Sequence, residues 1–343
     1  WIVTGRIPMK RVEAVREQET VSSLKASQIV QRSLKATVAC MNVAPASLPK
    51  NASPDGGSRA VVGIVDFGCD FAHLNFRQKN GKTRLLAIWN QSGKKRGTDS
   101  VAYGSVYSRS DIDSALEQRN PYTALGYSPS DEPGGTHGTH VMDIATGNGN
   151  GSGVPGVAPK SDIIFVEAGA TDVAWQGYAT VNSSFGDSVQ MLEAVKFVFD
   201  RAGDRPCVCN ISLGTNGGPH DGSTLVEQGM DTLLRDRPNR AIVIAAGNAQ
   251  TDGIHTNATV QPGSPHLIEW RQQNSGGGEF ELWYPGDRRL SVTLIAPDGT
   301  RFGPVQPGGN LPVGDANVVI FISSRLSDPN NGANVIGIWV AEG

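Results

Sequence analysis

The sequence predicts an α/β protein: a doubly wound, mostly parallel sheet, preceded by a short α+β segment and followed by an all-β region. Three observations predict it. The continuous apolar runs "AVVGIVDFG" (60–68), "DIIFVEA" (162–168), "CVCNISLG" (207–214) and "AIVIAAGN" (241–248) have the composition of strands buried on both faces. Segments of helical periodicity lie between them, which is the alternation of a parallel α/β sheet. After Gln250 the helical period disappears, and short runs between turn residues take over.

The elements follow in order. In residues 1–57, "WIVTGRI" is apolar and β-rich, "PMKRVEAVREQ" places Pro at a helix start, and "VSSLKA" is a short strand. This region ends in "APASLPKNASPDGG", a Pro/Gly/Ser/Asn-rich boundary. Residues 58–250 carry the buried strands and three helical patterns. "THVMDIATG" is the first, and "SVQMLEAVKFVFDRAG" (188–203) ends on the Gly of a C-cap. "TLVEQGMDTLLRD" (224–236) is the third. Residues 251–343 contain "HLIEWRQ", "GEFELWYP", "RRLSVTLIAPDGT" and "NVVIFISSRL", with "APDGT" as a hairpin turn. A jelly-roll or sandwich is expected there.

Composition narrows the function classes. The 343 residues are 38% hydrophobic and 18% charged, with net charge −3, so no strong attraction to nucleic acid or an anionic membrane is expected. No apolar run reaches the roughly 20 residues of a membrane span. No signal-peptide pattern is visible, and because the chain does not begin with Met, the native polypeptide is expected to extend upstream of Trp1. Four cysteines are too few for a disulfide scaffold and read as small buried hydrophobes.

Three polar groups stand where an α/β enzyme carries its chemistry, at strand ends and helix starts. Asp66 ends the first buried strand, His137 opens a helix in "GGTHGTHV", and Asn248 ends "IAAGN". An imidazole works as a general base when a carboxylate holds its tautomer, and an Asn amide can donate to an oxyanion. Two other readings of the histidines stay open at this point. His137, His140 and Asp143, at i, i+3 and i+6, have a spacing that could hold a metal. His140 reads as packed against the sheet. Asp70 reads as a turn residue, and His73 as a surface or turn residue beside a cleft.

"VVGIVDFGCDFAHLNF" resembles the Asp motif of the subtilisin-like serine proteases, and "GGTHGTHVMDIATG" their His motif. "GVAPKSDIIFVEA" resembles their following strand, "VCNISLG" their substrate-binding strand and "IVIAAGN" their oxyanion motif. All lie in the family's order across residues 60–248. The resemblance implies a subtilisin-like fold and a hydrolase with a catalytic triad and an oxyanion hole. Asp66 would orient, His137 would act as base, and Asn248 would donate to the oxyanion. Ser212, Leu213 and Gly214 would pair with substrate backbone as an added strand, while Ala246 and Gly247 would line the side-chain pocket. The partner implied is a peptide or protein substrate. No cofactor is assigned, and a structural calcium ion is compatible with the resemblance, which also leans toward secretion.

The sequence departs from the family in places. Met142 and Asp143 replace small residues after the HGTHV string. "LLAIWNQSG" and the polar stretch 98–133 lengthen the gap between Asp66 and His137 as an insertion. No Gly-Thr-Ser string follows Asn248, so the nucleophile is expected C-terminal to Gly343, on the remainder of the polypeptide. Residues 1–26 resemble the later half of a subtilase propeptide, which implies a zymogen. "VTLIAPDGTRFGP" and "DPNNGANVIGIWV" resemble the jelly-roll P-domains of proprotein convertases, here inserted before the nucleophile and incomplete. The alternative function is a pseudoprotease, a binding scaffold that keeps the cleft and lacks the nucleophile.

Overall fold

A computed structural model of the protein describes residues 7–21, 24, 31–32, 56–96, 101–129, 137–169, 188–271, 278–314 and 318–342. Most of the expected strands at 1–7 and 21–26, most of the boundary before residue 58, and Trp175 lie outside the described residues.

Before the core, the described residues form helix α1 (Val12–Arg16), preceded by a 3-10 turn (Met9–Arg11), and a short strand, β1 (Gln31–Arg32). The core then follows as β2 (Val61–Asp66), β3 (Leu85–Asn90), β4 (Ser105–Ser108), α2 (Arg109–Leu116), α3 (Pro121–Leu125), α4 (His137–Thr146) and β5 (Asp162–Glu167). It continues with α5 (Ser188–Ala202), β6 (Cys207–Ile211), β7 (Leu213–Gly214), α6 (Leu225–Asp236) and β8 (Arg240–Ile244). Six of these strands form one sheet in the order β4-β3-β5-β2-β6-β8. All neighbours in it are parallel except β4, an antiparallel edge on β3.

The sheet is covered on both faces. Helices α5 and α6 pack Ala194, Val195, Phe197, Val198 and Met230 onto one side of it. Helices α2 and α4 bring Ile112, Ala115, Val141 and Met142 to the other. This explains the uninterrupted apolar runs of β2 and β5, since neither face of a doubly covered strand meets water; β6 is covered less fully, with Val208 37% exposed. Met142, which stands where small residues were expected, is fully buried in this second cluster. Helix α6 is opened by a capping box between Thr224 and Glu227.

Three expectations need correction. "LLAIWN" is no insertion filler: it is β3, a strand of the central sheet with Leu85, Ala87 and Ile88 fully buried. "AIVIAAGN" does not form a doubly buried strand. Among the described residues strand β8 is an edge of the sheet, and its Val243 and Ile244 are 51% and 50% exposed. "HLIEWRQ" forms no strand over its described residues, and Leu267 is 80% exposed.

The C-terminal region contains β9 (Gly278–Tyr284), β10 (Val292–Ile295), β11 (Arg301–Val305), β12 (Asn310–Gly314), β13 (Val318–Arg325) and β14 (Asn334–Glu342). A four-stranded antiparallel sheet, β12-β13-β14-β9, and the β10–β11 hairpin share one apolar core that includes Tyr284, Val305, Ile322 and Ile336. The hairpin closes through the Ala296 N–H on the Thr300 carbonyl, across the "APDGT" turn. Among the described residues no helix is long and apolar enough to cross a membrane.

Buried Asn75 locks the Gly-rich turn after α4. Its Oδ1 accepts the N–H groups of Gly151 at 2.7 Å and Ser152 at 3.2 Å. Its Nδ2 donates to Asp143 Oδ1 at 2.6 Å and to Ser152 Oγ at 2.9 Å. Truncating one side chain therefore orphans several polar groups at once. Asn75→Ala is expected to cost about 2–4 kcal/mol, read as a lower urea midpoint. A midpoint equal to that of the wild type would contradict this role.

Candidate active site

The parallel register brings the C-terminal ends of β2, β5 and β6 to one edge of the sheet. Asp66 pairs with Glu167, and Val65 pairs with Ile211, so Ser212 follows directly beside Asp66. Active groups of open α/β sheets collect at this edge.

Asp66 is fully buried there, and its Oδ1 accepts the Phe67 N–H at 2.7 Å. His137 is the first residue of α4, and its Nδ1 lies 2.6 Å from Asp66 Oδ1. With Nδ1 donating to the carboxylate, Nε2 of the neutral ring carries the lone pair and faces away from it. Among the described residues Nε2, itself buried, has no hydrogen-bond partner.

Local sequence makes this contact possible. The Gly138 N–H donates to the Phe67 carbonyl at 2.5 Å, so the start of α4 sits directly on the loop after β2. A Cβ at position 138 would stand 2.7 Å from the Phe67 oxygen and 2.7 Å from the Phe165 ring. The glycine of the HGTH string is thus a steric requirement for bringing His137 to Asp66.

Ser212 and Leu213 are 6% and 1% exposed, so both are packed against their neighbours, Leu213 within the core. Strand β7 pairs antiparallel with β1, Gln31 opposite Gly214 and Arg32 opposite Leu213. Ser212 Oγ accepts from Asn210 Nδ2 at 3.0 Å. Ala246, Gly247 and Asn248 follow β8, two strands across the sheet from β2, and all three are exposed. Gly247 has φ +89°, a left-handed conformation that favours glycine.

The metal spacing does not converge. His140 is exposed, not packed on the sheet as its sequence suggested, and Asp143 is held by Asn75. No metal-competent group of His, Cys, Asp and Glu occurs among the described residues. Asp70 is a turn residue: its N–H bonds Thr139 Oγ1, and its carboxylate accepts the Tyr122 hydroxyl. His73 caps the short 3-10 turn Leu74–Phe76, its Nδ1 accepting the Asn75 N–H. Cys69, Cys207 and Cys209 are free and buried, and burial pushes all three thiols up, Cys207 to about 12, which disfavours a thiolate.

Sequence reasoning missed Glu167, Tyr122, Tyr127 and Thr139, which surround the loop after Asp66. Glu167 had a readable signal. It is a carboxylate ending a buried apolar strand, the same signature that singled out Asp66. The tyrosines had none.

The model of the subtilase family matches residues 57–273. No curated protein sequence matches the chain. Among solved structures, the chain is similar to the CspB protease of Clostridium perfringens, with a TM-score of 0.64 and 25% sequence identity. The alignment covers 84% of this chain and 56% of that one, so the chain spans little more than half the length of that protease.

Proposed function

The chain belongs to the subtilase family, and on that premise we propose that it carries the base, orienter and oxyanion donor of a subtilisin-type serine endopeptidase whose nucleophile lies C-terminal to Gly343. The observation that carries this reading is the 2.6 Å contact between His137 Nδ1 and buried Asp66. The serine hydroxyl gives its proton to His137 Nε2 as its oxygen attacks the scissile carbonyl. Asp66 stabilises the imidazolium, and Asn248 donates to the oxyanion. The C–N bond breaks as His137 protonates the leaving amine. A water molecule, deprotonated by His137, then hydrolyses the acyl-enzyme.

The backbone of Ser212–Gly214 takes the substrate as an added strand in place of β1. Strand β1 already occupies Leu213 and Gly214. This supports a zymogen whose N-terminal segment lies in its own cleft. The half-exposed Val243 and Ile244 of β8 support a sheet that continues beyond this strand. The C-terminal β region is then an inserted jelly-roll between Asn248 and the serine.

A fluorophosphonate probe on the full-length protein tests the reading. The expected result is one labelled serine beyond Gly343, with labelling abolished in His137→Ala, and an intact mass reporting a cut between residues 33 and 57. Repeated absence of label after removal of the N-terminal segment would instead support a pseudoprotease that binds peptides and cleaves none.

A further inference from the structure

The loop after Asp66 is held by side chains at every step. Phe67 N–H donates to Asp66 itself, and Gly68 N–H donates to both carboxylate oxygens of Glu167, at 3.0 and 2.9 Å. Cys69 N–H donates to the Tyr127 hydroxyl at 3.1 Å, and Asp70 N–H to Thr139 Oγ1 at 2.7 Å. The anchors are themselves connected. Tyr127 donates its hydroxyl to Glu167 Oε2 at 2.5 Å, Tyr122 donates to the Asp70 carboxylate, and Thr139 donates to the Gly68 carbonyl at 2.9 Å. Gly68 sits at φ +76°, a conformation these bonds hold in place.

Tyr122 and Tyr127 come from the 98–133 stretch that lengthens the gap between Asp66 and His137. Filling space there would need only their rings: Phe71 lies 5.3 Å from Tyr122 and Tyr107 lies 5.9 Å from Tyr127, ring centre to ring centre. The hydroxyls do something else. They reach out of the insertion to the segment joining Asp66 to the start of α4, and Thr139 is two residues past His137. Burial first, and Glu167 next, push the Tyr127 hydroxyl far above its ordinary range, so it stays a proton donor at any working pH.

We propose that Tyr127, with Tyr122 and Glu167, is a positioning residue: the insertion braces the Asp66 loop through two tyrosine hydroxyls and so fixes the Asp66–His137 geometry. The inference rests on the serine-protease reading for its kinetic consequence, and on coordinates alone for the brace. Displacements of about 1 Å at a reacting group cost on the order of 100-fold in rate, so a hydroxyl removed from the brace has a measurable effect.

The test uses the full-length protein with Tyr127→Phe, and Tyr122→Phe as a second variant. Tyr107→Phe is the control, since that hydroxyl donates to the Gly126 carbonyl at 2.9 Å, in the same aromatic cluster. Peptide hydrolysis gives kcat and KM, thermal melting gives stability, and NMR of histidine-labelled protein follows the Nδ1 proton of His137. The expected result for Tyr127→Phe is a 10- to 100-fold fall in kcat, KM within twofold, and a shifted or exchange-broadened His137 resonance. Tyr122→Phe moves both in the same direction, and Tyr107→Phe moves neither even where it melts as early. A Tyr127→Phe protein that behaves like the control overturns the brace; should it fail to fold, an unmoved Tyr122→Phe does so. The two readings fail separately. A wild type without peptidase activity whose His137 resonance moves in Tyr127→Phe removes the protease reading and retains the brace.

Discussion

Asp66→Asn in the full-length protein is expected to lower kcat about 10,000-fold, with KM and folding little changed. The Asp66 side chain is fully buried, and a single oxygen, Oδ1, receives both the Phe67 N–H and the His137 Nδ1. An asparagine has the same shape but must choose. With its oxygen in that position it keeps both bonds and loses the charge, so the imidazolium formed during proton transfer is no longer stabilised. With its NH2 there, it confronts the Phe67 donor and forces a hydrogen onto Nε2, the wrong tautomer for a base. Both outcomes remove transition-state stabilisation, together worth about 5 kcal/mol. Because the change also removes a buried charge, it needs no compensating ion, and the melting temperature should stay within a few degrees. Steady-state kinetics and a thermal melt decide the matter. A fall of less than tenfold in kcat would mean that His137 does not depend on this carboxylate.

What the sequence disclosed follows from which interactions are local. Strands β2 and β5 are buried on both faces, so their apolar runs are continuous and stand out. The end of α5 was legible because capping is local chemistry: Gly203, at φ +64°, closes it. Asp66 and His137 were legible as candidates because each stands at an element end among glycines. Strand β3 was hidden because its run ends in Trp89, Asn90 and a polar turn, which reads like an insertion. Strand β8 misled in the opposite direction. It has the composition of a covered strand, yet the described residues cover only one edge and part of its faces. His140 misled because one turn of helix separates a residue on the loop after β2 from one in solvent. The tyrosine brace was invisible for a different reason. Tyr127 and Glu167 are 40 positions apart and meet only once the sheet has formed. No periodicity or spacing encodes such a contact.

Asn248→Ala is expected to reduce kcat by about 100- to 1,000-fold, the usual cost of losing one oxyanion donor. Its signature should differ from that of Asp66→Asn. The amide does not titrate, so the loss should be uniform across pH, and a donor that engages only the charged intermediate should leave KM unchanged. Structure makes this variant easy to interpret. Asn248 is exposed beyond the end of β8, outside the packed clusters, so truncation leaves the core intact. The neighbouring Gly247 shows what holds the side chain in place. Nothing lies within 4 Å of where its Cβ would be, so the glycine is required by its left-handed backbone and not by packing. A residue with a side chain at 247 would strain that turn and re-aim the amide. Gly247→Ala should therefore reproduce part of the Asn248→Ala defect, although it removes no hydrogen-bonding group. If both variants retain wild-type kcat, the developing oxyanion is stabilised by other donors, and the segment after β8 serves the substrate side chain alone.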